Sequence, residues 1–282
     1  MKNILITGNK GYIGSSFEQW VNQNKITYNI ERLNLKSEDW KLVDFSKYDC
    51  VLHLAGIAHI STDSSLEDKY YKVNRDLTIE LAKITKMAGV KQFIFMSSII
   101  VFGNADMIDS KTSPNPVNFY GKSKLEAEEG LRKLAEKTFR VSIIRPPMIY
   151  GKNCKGNYTR LSKLATNFPF FPKYSNKRSV LHIDNLSNLI HLIIDNEDEG
   201  YFHPQNKTIV STTELVEEIA KFHNKNLWTT SIFNKFIHIF KNKINIFQKV
   251  FGNLFYKQEF SKYRINYQNV DFDKSIELTE RK

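Results

Sequence analysis

The chain is poor in cysteine and has no long apolar run, and these absences exclude several classes of protein. Its 282 residues include two cysteines, Cys50 and Cys154, which argues against the disulfide framework of small secreted domains. Neither has Cys or His neighbours at ligand spacing, so we expect no metal site. No apolar run approaches the roughly 18 residues that span a bilayer, and the N-terminal residues are not typical of a signal peptide. A cytoplasmic location is therefore expected.

Negative charge is scarce relative to positive charge. Lys and Arg number 41 against 30 Asp and Glu, which gives a formal net charge of +11. Such a protein attracts nucleotide phosphates, nucleic acids and acidic lipids alike. Because no helix-turn-helix, zinc or RNA-recognition signature accompanies the charge, we expect no nucleic-acid partner.

The first 150 residues alternate short apolar runs with amphipathic stretches. The pattern predicts strands at 3–7, 27–33, 51–54, 92–97 and 141–145, and helices at 12–22, 68–88 and 119–137. This alternation is typical of an α/β fold with a doubly wound parallel sheet, which binds ligands at the carboxyl ends of its strands. We expect one domain over residues 1–150, to which 179–200 return. A smaller C-terminal substrate-binding region, partly helical, is expected over 151–178 and 201–282.

A glycine-rich turn follows the first predicted strand directly. Residues 7–14 read TGNKGYIG, and a helix is predicted immediately afterwards. Gly8 permits a tight turn, Gly11 lets the backbone approach a pyrophosphate, and Gly14 lets helix and strand pack closely. The N-terminus of the helix attracts phosphate charge. Strand, turn and helix together predict a Rossmann-type domain that binds a dinucleotide.

The end of the second predicted strand bears on the choice between NAD and NADP. An acid there accepts a hydrogen bond from the ribose 2′-hydroxyl of NAD, and Glu31 favours that cofactor. Arg32 and Lys36 would instead hold the 2′-phosphate of NADP. Because the register of a short strand is uncertain by a residue or two, the sequence leaves both cofactors open.

Three residues form a predicted catalytic group. Tyr120 and Lys124 stand four apart in a predicted helix and so share one face. A nearby cation and a positive nicotinamide ring lower the pKa of a phenol from about 10, which makes Tyr120 able to exchange a proton with a sugar hydroxyl. Ser98 ends the fourth predicted strand, where its hydroxyl can polarise the reacting oxygen.

Together these segments resemble the extended short-chain dehydrogenase/reductases, in the branch of nucleotide-sugar epimerases and dehydratases. The resemblance covers roughly residues 1–220 and adds further segments to those above: VLHLAGIAH at 51–59, YYKVN at 70–74, SSIIVFG at 97–103, YGKSK at 120–124, RPPMIYG at 145–151 and KRSVLHIDNL at 177–186.

The resemblance implies roles for individual residues. Tyr120 would donate or accept the proton, Lys124 would activate it, and Ser98 would bind the sugar oxygen. Asn157 and Arg178 would bind the substrate's diphosphate. Other positions would contact or support the cofactor: Tyr12, Ile13, Asp44 at the adenine, Leu54, Ala55, Gly56, Asn74 beside the nicotinamide, and Pro147. The family also implies a UDP-sugar substrate and a homodimer formed through two helices.

One departure from the family narrows the reaction. Its dehydratases carry an acidic pair after the strand-end Ser or Thr, where this chain has Ile99 and Ile100. Elimination of water is therefore not expected. Two reactions at C4 remain, both used in polysaccharide precursor synthesis: 4-epimerisation of a nucleotide sugar, or reduction of a 4-keto sugar. A catalytically silent dinucleotide-binding sensor is the alternative, although such proteins typically lose the Tyr or the Lys.

A basic aromatic segment over residues 232–256 is the last feature. From Lys221 to Arg264 the sequence has nine Lys or Arg and one acid, Glu259. Helical spacing relates a set of apolar residues, with Lys235, Lys241 and Lys249 off their stripe: Phe233, Phe236, Ile237, Phe240, Ile244, Phe247, Phe251 and Leu254. One interpretation is a helical lid that packs on the small domain. The other is peripheral contact with an anionic membrane.

Overall fold

The computed structural model describes residues 1–58, 63–240 and 243–281, so that His59 and Lys241 lie outside the described residues. Twelve strands occur in the described residues: β1 Lys2–Thr7, β2 Tyr28–Leu33, β3 Cys50–His53, β4 Gln92–Met96, β5 Met107–Ile108, β6 Arg140–Ile144, β7 Met148–Tyr150, β8 Phe170–Pro172, β9 Val180–His182, β10 Gly200–Phe202, β11 Trp228–Thr230 and β12 Phe255–Tyr256.

Ten α-helices are found in the same ranges: α1 Tyr12–Gln23, α2 Glu67–Tyr70, α3 Leu77–Met87, α4 Phe119–Leu134, α5 Asn157–Asn167, α6 Ile183–Asp195, α7 Thr212–Phe222, α8 Asn234–Phe240, α9 Asn245–Phe251 and α10 Phe272–Glu280. A π-helical turn, Tyr71–Asp76, joins α2 to α3 and interrupts the helix predicted over 68–88.

The central sheet has six strands in the order β10-β6-β4-β3-β1-β2, and every pairing in it is parallel. The strand order reverses between β1 and β3, and in sheets of this kind ligands bind at such a switch point. The expected α/β fold with a doubly wound parallel sheet is confirmed. Gly200–Phe202 forms the edge strand β10 beside β6.

Helices cover both faces of this sheet, because side chains alternate along each strand. Ile4 and Ile6 point into a core shared with α1 and α6, whereas Leu5 points into a second core with α3 and α4. Central parallel strands are buried on both faces, which explains why their sequences are continuously apolar.

A smaller lobe is built around α5, α7 and the short parallel pairs β7–β9 and β8–β11. The basic aromatic segment forms the helix pair α8 and α9, and Ile237 and Phe251 are buried in the core of this lobe. No helix within the described ranges is both long and apolar enough to cross a membrane. The exact division into domains stays a prediction.

Candidate active site and cofactor cleft

A cavity of about 680 Å³ opens at the carboxyl ends of β1, β3 and β4 and extends into the smaller lobe. The residues lining it include four cations and no Asp or Glu among those described: Lys10, Lys124, Lys155 and Arg178. Its volume lies within the range of roughly 300–1,000 Å³ typical of ligand sites. A large acid-free cavity lined by cations suits an anionic ligand.

The glycine turn forms one end of the cavity. Gly8 has a positive φ of 97°, which favours glycine, and its N–H donates to the carbonyl of Leu33 at 2.9 Å. Gly11 is the N-cap residue of α1, and no side chain caps the helix N-terminus there. The first turn of the helix contains no acidic residue. A Cβ added at Gly11 would meet no protein atom within 4 Å, so its backbone is open to a ligand. The turn therefore fits a dinucleotide pyrophosphate.

Neighbouring residues of β2 point to opposite sides of the sheet. The Glu31 carboxylate accepts from Tyr48 at 2.6 Å and pairs with Lys47, away from the glycine turn. The Arg32 guanidinium instead lies over that turn and donates to the carbonyl of Asn9 at 3.2 Å, and Glu18 holds it through two 2.8 Å bonds. Arg32, rather than Glu31, is thus next to the cofactor cradle.

A buried chain of hydrogen bonds fixes the loop that follows β3. Thr7 Oγ1 accepts from the N–H groups of Leu54 and Ala55, both at 3.2 Å. It lies 2.8 Å from Nδ1 of His53, whose Nε2 lies 2.9 Å from Thr78 Oγ1. Because Thr78 donates to a backbone carbonyl, the bonds are satisfied with the His53 proton on Nε2. Burial lowers the pKa of His53 to about 3, so this ring stays neutral.

Asn74 holds the next part of the same loop. Its Oδ1 accepts from the N–H of Ile57 at 2.8 Å, and its Nδ2 donates to the Ile57 carbonyl at 3.1 Å. Gly56 lies so close to this amide that an added Cβ would sit 3.0 Å from Asn74 Oδ1. The asparagine predicted beside the nicotinamide therefore acts on the loop that lines the cavity. It is completely buried and is not itself a lining residue.

The two serines after β4 have different environments. Ser97 donates to the buried carboxylate of Glu128, which Arg145 also binds. Ser98 caps the short 3₁₀ turn 99–102 by accepting from the N–H of Ile100 at 3.3 Å. Both serines line the cavity, but only the Ser98 hydroxyl interacts with the Tyr120 phenol.

Tyr120 lies in the first turn of α4, a helix capped by Asn118, whose side chain accepts from the N–H of Gly121 at 2.9 Å. Burial raises the pKa of the Tyr120 phenol above its usual value, although the hydrogen bond with Ser98 opposes this. The expectation that Lys124 lowers this pKa does not hold for the chain by itself, because burial outweighs the other influences.

Lys124 lies one turn further along α4 and is only 5 % exposed. Its ammonium donates to the Met96 carbonyl at 2.9 Å and lies 4.5 Å from the centre of the Phe95 ring. Burial lowers the pKa of Lys124 to about 8, and the negative charge of Glu128 opposes that shift. Lys124 thus changes charge near neutral pH, as a group that assists proton transfer should.

The smaller lobe supplies the far end of the cavity. Asn157 begins α5 after Gly156, and Arg178 enters the cavity from the segment before β9. The Arg178 guanidinium donates to the Gly252 carbonyl at 3.3 Å and has no carboxylate partner among the described residues. Burial lowers its pKa to about 10. A partly buried guanidinium that has no carboxylate partner among the described residues, and that lines the same cavity as a helix N-terminus, suits a diphosphate.

The cavity brings together most of the residues predicted from the sequence, and their roles stay predictions. The predicted residues among its lining are Gly11, Tyr12, Ile13, Gly14, Leu54, Gly56, Ser98, Tyr120, Lys124, Pro147, Asn157 and Arg178. Gly8, Ala55 and Asn74 lie directly behind this lining. Sequence reasoning did not single out Lys10 or Lys155, although both lie in glycine-containing loops, and it placed Leu254 on the apolar stripe of the basic aromatic segment rather than at the cavity.

Asp44 and Lys36 are not among the lining residues. The Asp44 carboxylate is exposed and caps the 3₁₀ turn 45–47, accepting from the Ser46 N–H at 3.0 Å and its hydroxyl at 2.6 Å. Lys36 is exposed beyond β2. Contact of Asp44 with adenine stays a prediction, and its carboxylate would first have to leave this local cap.

Residues 4–204 match the sequence model of the NAD dependent epimerase/dehydratase family. The chain belongs to this family. It is 33 % identical to UDP-glucose 4-epimerase of Vibrio cholerae over 254 residues, which cover 80 % of this chain and 77 % of that relative. It is 29 % identical to the N-acetyl-α-D-glucosaminyl-diphospho-ditrans,octacis-undecaprenol 4-epimerase of Escherichia coli O157:H7, over 80 % of this chain and 73 % of that one.

Solved structures of other proteins share the fold. A UDP-glucuronic acid 4-epimerase of Bacillus cereus, with a substrate analogue and NAD, superposes with a TM-score of 0.74 at 18 % identity, covering 98 % of this chain and 97 % of that one. A dTDP-4-dehydrorhamnose reductase of Clostridium acetobutylicum gives 0.69 at 21 % identity, covering 81 % and 82 %.

Family membership confirms the resemblance seen in the sequence and identifies the protein as an enzyme that uses NAD or NADP. The residues present fit that cofactor, because the open glycine turn and the loop held by Asn74 face one cavity. When bound, the nicotinamide supplies hydride transfer. The alternative of a catalytically silent sensor has no support from this comparison.

Proposed function

We propose that this protein is a 4-epimerase that inverts C4 of a sugar joined to a diphosphate, with a UDP-sugar as substrate. The observation that carries the proposal is a single acid-free cavity. It has the glycine turn at one end and Arg178 with Asn157 at the other, and Ser98, Tyr120 and Lys124 lie along its wall. A dinucleotide and a sugar diphosphate are both long anions, and the cavity presents cations or helix N-termini to each.

In the proposed reaction Tyr120 takes the proton of the C4 hydroxyl while the hydrogen on C4 leaves as hydride. C4 becomes a carbonyl, and the Ser98 hydroxyl donates a hydrogen bond to its oxygen. After the sugar has turned over, hydride returns to the other face of C4 and Tyr120 returns the proton to the oxygen. One hydride and one proton leave and come back, and the bound dinucleotide would hold the hydride in between, so the net reaction is an isomerisation.

Lys124 assists these proton transfers by its charge. Its ammonium is anchored on the Met96 carbonyl at the floor of the cavity. A positive group there favours the phenolate form of Tyr120 once substrate and cofactor exclude water. Elimination of water has no support, because Ile99 and Ile100 occupy the wall beside Ser98 and the described lining contains no acid.

Reduction of a 4-keto sugar is a second candidate, favoured by Arg32. Its guanidinium lies over the glycine turn and suits the 2′-phosphate of NADPH, the usual donor for net reduction. Ser98 would bind the keto oxygen and Tyr120 would give it a proton as hydride arrives at C4, which is the second half of the epimerase reaction alone.

Turnover assays separate these reactions. The purified protein is incubated with UDP-glucose or UDP-N-acetylglucosamine without added cofactor, and products are followed by ¹H NMR. A C4 epimer without cofactor consumption supports the epimerase. Stoichiometric loss of NADPH with a UDP-4-keto sugar, and no epimer, supports the reductase. A parallel reaction with N-acetylglucosaminyl diphosphoundecaprenol in detergent tests the substrate class named for the E. coli relative.

We also propose a homodimer in the cytoplasm. The helices α3 and α4 pack side by side on one face of the sheet and offer a surface for a four-helix contact between two copies. Size-exclusion chromatography with light scattering measures the mass of the assembly. A mass equal to that of one chain would contradict the homodimer.

A further inference from the structure

The smaller lobe carries a cluster of large apolar side chains that the catalytic cavity does not use. We define this aromatic patch by six residues with their exposed fractions: Phe170 47 %, Trp228 69 %, Ile232 77 %, Phe233 40 %, Phe236 51 % and Ile239 56 %. Scattered single apolar residues are normal on a protein surface, whereas a contiguous group of this size marks an interaction site.

Contacts and helical spacing join most of the patch, and Ile232 is next to Phe233 in the sequence. Trp228 lies opposite Phe170 in the β8–β11 ladder. The Phe170 ring stacks on the Phe233 ring, with 6.2 Å between centroids. Phe236 and Ile239 follow Phe233 at intervals of three residues along α8, and their side chains therefore continue the same surface.

The helix α8 carries apolar side chains on two sides, one buried and the other exposed. Ile237 is 1 % exposed and fills the core of the smaller lobe, which anchors the helix. Phe236 and Ile239 project on the other side, where no described residue covers more than part of them. The lid interpretation explains Ile237, but it leaves the aromatic patch without a role.

The segments that carry the patch have charge of one sign. Every patch residue comes from one of two segments, 137–183 and 219–258, that contain no Asp or Glu. Lysines with exposed side chains occur throughout both segments, and in the described structure none of the following forms an ion pair: Lys173, Lys225, Lys235, Lys243 and Lys249. Unpaired lysines around exposed aromatic rings are the composition of a surface that meets an anionic bilayer.

The composition disfavours other occupants. Protein–protein interfaces are enriched in aromatic residues but depleted in lysine. A second copy of this chain would bring two lysine-rich rims together, and like charges at an interface are repulsive. An anionic lipid surface satisfies both features at once, because its headgroups attract the lysines and its acyl region accepts the rings.

We propose that the aromatic patch docks this enzyme on an anionic lipid bilayer, with the rings inserted at the headgroup level and the lysines against the phosphates. The helix α5 runs from Asn157, at the catalytic cavity, to the residues just before Phe170. Its eleven residues correspond to about 16 Å. Docking therefore keeps the cavity close to the membrane surface. The inference concerns binding and does not depend on the reaction proposed above.

Vesicle flotation tests the docking directly. The full chain is mixed with vesicles of phosphatidylglycerol and phosphatidylcholine in equal parts, or of phosphatidylcholine alone. We expect flotation with the mixed vesicles only, and a loss of flotation at high salt, because salt screens the lysine charges. Absence of flotation with the mixed vesicles at low salt would overturn the proposal.

Paired variants distinguish binding through the aromatic patch from nonspecific adsorption to vesicles. The patch variant carries Trp228→Ser and Ile232→Ser, and its control carries Leu42→Ser and Met87→Ser, which are 87 % and 80 % exposed elsewhere. The charge variant carries Lys235→Glu and Lys243→Glu, and its control carries Lys91→Glu and Lys133→Glu. Each surface lysine contributes about 1 kcal/mol to membrane attraction, so the charge variant should bind at least about thirtyfold more weakly than wild type.

Thermal unfolding of all four variants checks that each is folded. The proposal is supported if both test variants lose lipid binding while both controls float. It is overturned if tests and controls float equally. It is also overturned if the patch variant changes only the oligomeric mass in light scattering, because the patch would then join two copies of the chain.

Discussion

The ammonium of Lys124 is bonded to the carbonyl of Met96, 2.9 Å away at the end of β4. The strand that ends just before Ser98 thus also fixes Lys124 of α4. Since the ammonium is buried and bonded to a neutral carbonyl, its pKa falls to about 8. The Lys124 ammonium is thus removed from water without a carboxylate bonded to it, and this lowers the free energy of unfolding.

Replacing this lysine should therefore remove activity and stabilise the fold. For Lys124→Met we expect at least about a hundredfold loss of turnover, because proton transfer loses its supporting charge. At pH 7 the free energy of unfolding should rise by up to about 3 kcal/mol, the equivalent of the depressed pKa. Urea unfolding followed by circular dichroism measures the difference.

The lowered pKa of Lys124 also predicts how the stability difference between wild type and Lys124→Met changes with pH. Between pH 8 and 10.5 the unfolded lysine is protonated while the folded one is not, so the stability of the wild type rises with pH across that window. The advantage of Lys124→Met should shrink accordingly between pH 8 and 10.5. Lys122→Met, at an exposed position of the same helix, is the control and should change neither stability nor turnover. A constant advantage across this window would contradict the assigned pKa.

Removal of a single oxygen atom tests the proton-transfer group. Tyr120→Phe should lower turnover by about 10² to 10⁴ while leaving cofactor affinity nearly unchanged, because the phenol makes its interaction with Ser98 rather than with a structural partner. Turnover is measured by NMR and cofactor binding by calorimetry. Tyr71→Phe removes a hydroxyl from the neighbouring π-helical turn and should leave turnover intact. Equal turnover by both variants would remove the proposed mechanism.

Patterns of neighbouring residues were sufficient to predict the central fold. The strands β1, β2, β3, β4 and β6 lie within one residue of their expected bounds, and for all except β2 this is because buried parallel strands are largely apolar. The glycine period also located the start of α1 at Tyr12. Most of the site residues predicted in the first 150 residues gathered at one cavity because parallel strands all end at the same edge of the sheet.

Other features depend on contacts that no local pattern records. The strands β7, β8, β10, β11 and β12 have two or three residues each, and pairing with distant segments makes them strands. The side of the sheet chosen by Glu31 and Arg32 could not be predicted either, since a shift of one residue exchanges the two sides. Contact of Asp44 with adenine was expected from the resemblance alone. The sequence did not predict that its exposed carboxylate accepts a hydrogen bond from the Ser46 N–H.

The orientation of β2 leads to a prediction about cofactor choice. Because Glu31 is bonded to Tyr48 and Arg32 lies over the glycine turn, we expect NADP⁺ to bind more tightly than NAD⁺. Arg32→Gln should weaken NADP⁺ by roughly ten- to hundredfold, the contribution of one charge-assisted hydrogen bond of about 1.5–3 kcal/mol, and NAD⁺ much less. Lys36→Gln is the matched control. Equal losses for both dinucleotides in calorimetry would show that Arg32 only supports the turn.

The unpaired guanidinium of Arg178 gives the clearest test of the substrate end. Arg178→Gln keeps a hydrogen-bond donor but removes the charge, so the affinity for UDP should fall by roughly ten- to hundredfold. Because burial lowers the pKa of Arg178 and no described carboxylate compensates its charge, the same change should leave the free energy of unfolding unaltered or raise it. Arg160→Gln, on the exposed side of α5, removes the same charge and should change neither quantity. Calorimetry with UDP and urea unfolding separate the two effects. If Arg178→Gln destabilised the fold and bound UDP as well as the wild type does, the guanidinium would be a structural link to Gly252 and the substrate would lie elsewhere in the cavity.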